Sequence, residues 1–193
     1  LLGNLVYGSR RPQIGAKPIG FGSAFISNSE DAFGALWNPA GLANLVEIEF
    51  DFDLSQGGFS VGLPIFESLT LGTSFFDLNG TDRFMIDQTN NPIGTFERGR
   101  NQAVFSLAGK FGSQLLLGAN LNLTTDVHAR RHPSYDLGIL INATSGIRLG
   151  ASLREFGDQY REPVFDLGMT WQTNRYFQLS SALDTTTWKF RIG

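Results

Sequence analysis

Cysteine is absent from the 193 residues of this chain. Its absence removes disulfides, thiolate nucleophiles, thiolate metal sites and a lipid-modified N-terminal cysteine. Long apolar runs are missing too. Nothing approaches the roughly 18 consecutive apolar residues of a membrane-spanning helix, which excludes a helical span but not a β-barrel. Charge of one sign is scarce, with a net −3 from 15 Lys and Arg against 18 Asp and Glu. So mild a balance argues against nucleic acid as a partner. The opening Leu1-Leu2-Gly3-Asn4 lacks the basic region and apolar core of an export signal, so the chain is expected to be a mature form.

Glycine and phenylalanine are abundant, at 23 and 17 residues, while mean hydropathy is −0.07. A transmembrane barrel combines these features, because alternate residues of each strand face lipid and water. Residues 1–17 are polar, punctuated by Gly and Pro, and read as an arm. From Asn28, the run NSEDAFGALW offers Asn28 or Ser29 as a helix cap, with Glu30 and Asp31 in the first turn. A helix of about two turns is expected, closing before Asn38-Pro39, since the residue before proline avoids the helical region.

From Val46 the period becomes two. VEIEFDFDL puts Val46, Ile48, Phe50, Phe52 and Leu54 on one face and Glu47, Glu49, Asp51 and Asp53 on the other. Nine further alternating runs follow: 59–63 closed by Pro64, 69–78 with a break at Phe76, 103–111, 114–123, 135–142, 147–154, 165–172, 177–183 and 188–192. The break at Phe76 reads as a bulge, and residues 79–101 read as a long polar loop. Connections at 64–68, 112–113, 144–146 and 173–175 are short, whereas 79–101, 125–133 and 156–163 are long. Short turns alternating with long outer loops are the rule for outer-membrane barrels. Phe66, Phe111, Trp171, Tyr176 and Phe177 gather near the short turns, as an interfacial girdle would. The fold class expected is all-β: a transmembrane antiparallel β-barrel with about ten strands visible, complete or part of a larger barrel. An N-terminal plug segment (1–45) precedes the barrel (46–193).

If the apolar face meets lipid, the charges point into the lumen: Glu47, Glu49, Asp51, Asp53, Arg148, Arg154, Lys189 and Arg191. Closure between the first and last strands would set the four carboxylates beside Lys189 and Arg191. Alternatively these charges line a wet pore, or closure uses other strands.

Enzymatic chemistry has thin support. Gly58-Phe59-Ser60-Val61-Gly62 matches G-x-S-x-G but lies inside an alternating strand, not at a strand–turn–helix. Gly20-Phe21-Gly22 lacks a preceding strand and a third glycine. Asp126, His128 and His132 share a loop and offer an acid–base pair or metal ligands, with a solvated loop as the plain alternative. Arg130, Arg131, Arg98 and Arg100 on outer loops suit lipopolysaccharide phosphates or simple solvation. No cofactor, metal or catalytic residue is assigned.

Gly15-Ala16-Lys17-Pro18-Ile19-Gly20-Phe21-Gly22-Ser23-Ala24-Phe25, then Glu30-Asp31-Ala32-Phe33 and Trp37-Asn38-Pro39-Ala40-Gly41-Leu42-Ala43, resemble the start of the FadL-like long-chain fatty acid transporters. The likeness is strongest to their PorV/PorQ and UPF0164 relatives. The match covers about residues 15–45. It implies a bacterial outer-membrane barrel whose N-terminal segment plugs the lumen, with Gly20, Gly22, Asp31, Trp37, Asn38, Pro39, Ala40 and Gly41 as the plug motif. Those relatives usually have fourteen strands and longer chains. The branch implies a non-enzymatic partner or scaffold subunit of a secretion or surface assembly, of the kind used in type IX secretion. The alternative is a transporter of hydrophobic small molecules such as long-chain fatty acids, with Phe21, Phe25, Phe33, Leu36 and Trp37 as candidate contacts. A loop-borne hydrolase is a third reading. The partners expected are outer-membrane lipids and lipopolysaccharide, a protein subunit or a hydrophobic ligand.

Overall fold

The computed structural model describes residues 15–21, 24–54, 57–77, 80–86, 92–98, 101–125, 131–158, 162–174, 177–185 and 189–192. Twelve strands follow three short helices: β1 Glu49–Asp53, β2 Gly58–Phe66, β3 Leu69–Asp77, β4 Gly80–Ile86, β5 Pro92–Arg98, β6 Asn101–Phe111, β7 Leu115–Thr125, β8 Arg131–Asn142, β9 Ile147–Phe156, β10 Val164–Asn174, β11 Phe177–Asp184 and β12 Lys189–Ile192. Ten form one antiparallel sheet in the order β1-β2-β3-β6-β7-β8-β9-β10-β11-β12. The all-β class and the ten alternating runs are therefore found.

The differences have local causes. The expected polar loop over 79–101 contains a hairpin, β4 paired with β5, apart from the main sheet. Its sequence lacks strict alternation, so the period carried no signal. β2 continues past Pro64 to Phe66 with a register shift between the two, which accommodates a residue that cannot donate to the ladder. Phe76 marks no bulge: it pairs regularly with Gln102 and breaks the pattern because it is an inward aromatic. Its ring lies 5.9 Å from that of Phe33. The single α-helix expected after Asn28 is instead a 3-10 helix, Ala32–Leu36, capped by Asp31, followed by a second, Pro39–Asn44, capped by Asn38. Proline at the first position of the second helix suits its missing N–H. A short α-helix, Ala16–Gly20, begins at the end of the expected arm and runs past it.

Closure between the first and last strands is corrected. Among the described residues β1 and β12 are the two edges of an open sheet, and no ladder joins them. Each is the shortest kind of edge, five and four residues long.

The two faces of this sheet are inverted relative to a soluble one. Phe105, Leu107, Leu137, Leu149, Leu167, Met169 and Trp171 are exposed, while Ser106, Asn120, Asp136, Ser152, Arg154, Asp166 and Thr170 are buried. What covers the polar face is residues 24–45 of the same chain. They are almost wholly buried and bring two apolar clusters with them, one around Phe25, Phe33, Trp37, Phe76 and Val104, the other around Ala40, Leu42, Leu116 and Leu140. Close approach requires glycine under the second 3-10 helix: a Cβ on Gly118 would strike the backbone of Pro39 and Ala40, and one on Gly138 would strike Asn38 and Pro39.

Candidate functional site

The polar face and the segment lying on it form the candidate site. Its first element is the N-terminus of the 3-10 helix Ala32–Leu36. The first N–H groups of a helix have no partner within it. Here each ends on a carboxylate: Ala32 N donates to Glu49 Oε2 at 3.1 Å, Phe33 N to Asp51 Oδ2 at 3.2 Å, and Gly34 N to its own cap, Asp31 Oδ1, at 2.6 Å. Asp53 Oδ2 accepts from Gly15 N at 3.1 Å. The acidic face of β1 thus holds the N-terminal segment. Negative charge at a helix N-terminus is also favoured by the backbone dipoles.

Asp31 is buried, and burial pushes its carboxyl above the ordinary range. The charge of Asp51 adds to that, while Lys17 and the Gly34 N–H work against it. Lys17 Nζ stands 3.4 Å from Asp31 Oδ2 with its own side chain largely in solvent.

The second element is Asn38, fully buried. Its Oδ1 caps the second 3-10 helix by accepting from Ala40 N at 3.1 Å. Its Nδ2 donates to Ile26 O and Ile139 O, both at 3.0 Å, and to Ala151 O at 3.3 Å. One amide therefore ties the segment to itself, to β8 and to β9. The motif's other members pack around it. Trp37, Pro39, Ala40 and Gly41 are buried, and Gly41 lies so close to Ser29 that a Cβ would collide with its backbone. Gly20 is exposed; Gly22 lies outside the described residues.

Further contacts extend across the sheet. Ser60 Oγ, the serine of the G-x-S-x-G match, donates to Ala32 O at 2.8 Å and pairs with Ser74 Oγ at 2.7 Å. Asn120 Nδ2 donates to Ala35 O at 2.8 Å and to Asp136 Oδ2 at 3.0 Å. Ser27 Oγ pairs with Thr170 Oγ1 at 2.7 Å, which in turn meets Ser180 Oγ at 3.0 Å. Glu30 pairs with Arg148. Sequence reasoning missed Ser27, Ser60, Asn120, Asp136 and Thr170. Their signal was faint: single polar residues at inward positions, where the pattern alone shows only alternation.

The remaining luminal candidates scatter. Arg154 donates from Nε and Nη2 to Asp166 Oδ2, at 3.1 and 2.8 Å, with both side chains buried. Arg191 Nη2 is 3.8 Å from Asp184 on neighbouring β11, and the Lys189 side chain is outside the described residues. Glu47 is exposed ahead of β1. Of the five candidate ligand contacts, Phe25, Phe33, Leu36 and Trp37 pack into one cluster, against which the half-buried Phe21 leans. Phe21 is 5.9 Å from Phe25, and Phe25 meets Trp37 edge-on at 6.3 Å. His132 lies in β8, not in a loop; Asp126 and His128 lie outside the described residues. Among the described residues no group of His, Cys, Asp and Glu is arranged to hold a metal, and no helix is long and apolar enough to cross a membrane.

Comparison with known proteins adds no assignment: no family model matches the chain, and no curated protein matches it. The class that stands is an all-β protein built on one open ten-stranded antiparallel sheet.

Proposed function

We propose that this chain is the barrel wall and plug of a non-enzymatic integral outer-membrane protein, FadL- and PorV-like, serving as a partner or scaffold subunit of a secretion or surface assembly. The inversion of the sheet carries the reading. A broad outer face of Phe, Leu, Ile, Met and Trp stands exposed while Ser, Thr, Asn, Asp and Arg are buried. Soluble monomers rarely present an apolar patch of more than a few hundred Å², and lipid is the solvent in which such a face is stable. The connections agree. β2–β3, β6–β7, β8–β9 and β10–β11 are joined by short turns at one end, where Phe66, Phe111, Trp171 and Phe177 are exposed.

The filled polar face favours a partner role over a conduit. The segment is hydrogen-bonded to β1, β2, β7, β8, β9 and β10, so passage would require breaking many buried bonds together. A hydrophobic cargo would need room beside Phe25, Phe33 and Trp37, which pack on one another and on Phe76.

Native mass spectrometry of the protein extracted from its own outer membrane in mild detergent tests this. A co-purifying protein at fixed stoichiometry supports the subunit reading. A lone barrel carrying a fatty acid or similar hydrophobe transfers the case to transport. Recovery in the aqueous fraction without detergent overturns both.

A further inference from the structure

Glu155 is the one non-glycine among the described residues with a left-handed backbone, φ 58°. It sits in a bulge: Leu137 pairs with Leu153 and Tyr135 with Phe156, leaving Arg154 and Glu155 together opposite Asp136. A left-handed glutamate is strained and persists only where its surroundings hold it. Asp136, itself buried, does so by accepting the Glu155 N–H on Oδ1 at 2.9 Å. Its other oxygen is taken by Asn120, whose amide also reaches Ala35 O in the interior segment. A continuous chain of hydrogen bonds thus runs from the 3-10 helix, through β7 and β8, to the backbone at the end of β9.

We propose that this bulge is a conformational device set by the seating of the interior segment. With Ala35 in place, Asn120 orients Asp136, and Asp136 holds the extra residue. When the segment shifts, the carboxylate loses its orientation and β9 can take the regular register, Arg154 opposite Asp136 and Glu155 opposite Tyr135. Because side chains alternate along a strand, Glu155 and Phe156 then exchange faces. Phe156, now exposed, turns inward and Glu155 turns out. The backbone entering Gly157, φ 83°, is redirected with it. The surface at the end bearing the long connections therefore reports whether the segment is seated. This does not depend on the protein having a partner or a lipid ligand.

The test compares Asn120→Ala and Asp136→Asn with Thr170→Val, which removes the β10 partner of Ser27 and leaves the Ala35–Asn120–Asp136 chain intact. Amide hydrogen exchange is followed at Glu155, and a thiol reagent probes a Phe156→Cys background in the full chain. Asn120→Ala should speed exchange at Glu155 about tenfold, the weight of one hydrogen bond to a carboxylate, and protect the cysteine at 156. Asp136→Asn keeps one acceptor oxygen and so preserves the fold while breaking one link, and it should act in the same direction. Thr170→Val should leave both readouts unchanged. Unaltered exchange at Glu155 in both relay variants, or an equal response to Thr170→Val, overturns the proposal.

Discussion

Asn38 offers the sharpest prediction. Replacing it with alanine deletes two N–H donors, shared among the carbonyls of Ile26, Ile139 and Ala151, and the cap on Ala40. A neutral hydrogen bond contributes about 1 kcal/mol net, and a lost cap about the same, so Asn38→Ala should cost about 3 kcal/mol. For a chain of this size, at roughly 2–4 °C per kcal/mol, the melting temperature should fall by about 10 °C. Thermal unfolding in detergent, followed by circular dichroism and by the heat-dependent shift in gel mobility, measures it. Asn38→Asp makes the test directional. Aspartate keeps an acceptor for Ala40 but turns an unpaired buried oxygen toward three carbonyl oxygens. It should therefore be the worse variant, although it is closer in shape. If Asn38→Asp melts at or above Asn38→Ala, the Nδ2 bonds do not hold the segment and the reasoning fails.

Three other outcomes are expected. Leu107→Arg, on the exposed face of β6, should cost about 2–4 kcal/mol in a bilayer but little in a soluble sheet, where such surface changes stay within about 0.5 kcal/mol; urea titration in lipid vesicles separates the two. Asp31 has a folded-state carboxyl raised above 3.8, chiefly by burial. Its protonated form is therefore the one the fold prefers: its contribution to stability is full below the unfolded value and is lost as pH rises through the folded value. Asparagine retains the acceptor for Gly34, so Asp31→Asn should remove that part of the pH slope, and an identical slope in both proteins would refute the assignment. Gly138→Ala, whose Cβ would meet Asn38 and Pro39, should make the N-terminal segment cleavable by added protease, while alanine at Gly20, which has open space around it, should not.

The ten strands of the sheet were readable in the sequence because a period of two is a local property. Each strand declares its own faces, whatever its neighbours. The hairpin β4–β5 was not readable, since its alternation is irregular. Neither was the nature of the helices: the sequence offered Asn28 or Ser29 as the cap of one α-helix, whereas Asp31 and Asn38 cap two 3-10 helices.

The acidic alternation of β1 shows where local reading ends. VEIEFDFDL fixed which side chains share a face, and charge alone then suggested the cations of β12 as partners. The structure gives Glu49, Asp51 and Asp53 the backbone N–H groups of residues 32, 33 and 15. Unpaired helix N–H groups are invisible in a list of charged residues, and they became the partners only when the chain folded back on itself. The same holds for Asn120, Asp136 and Thr170, whose roles exist only because the segment lies on them. The sequence by itself determined the ten strands of the sheet and their faces, set by neighbours along the chain. Only the tertiary structure decided what fills the polar face and that the sheet stays open, because both depend on contacts between residues far apart in sequence.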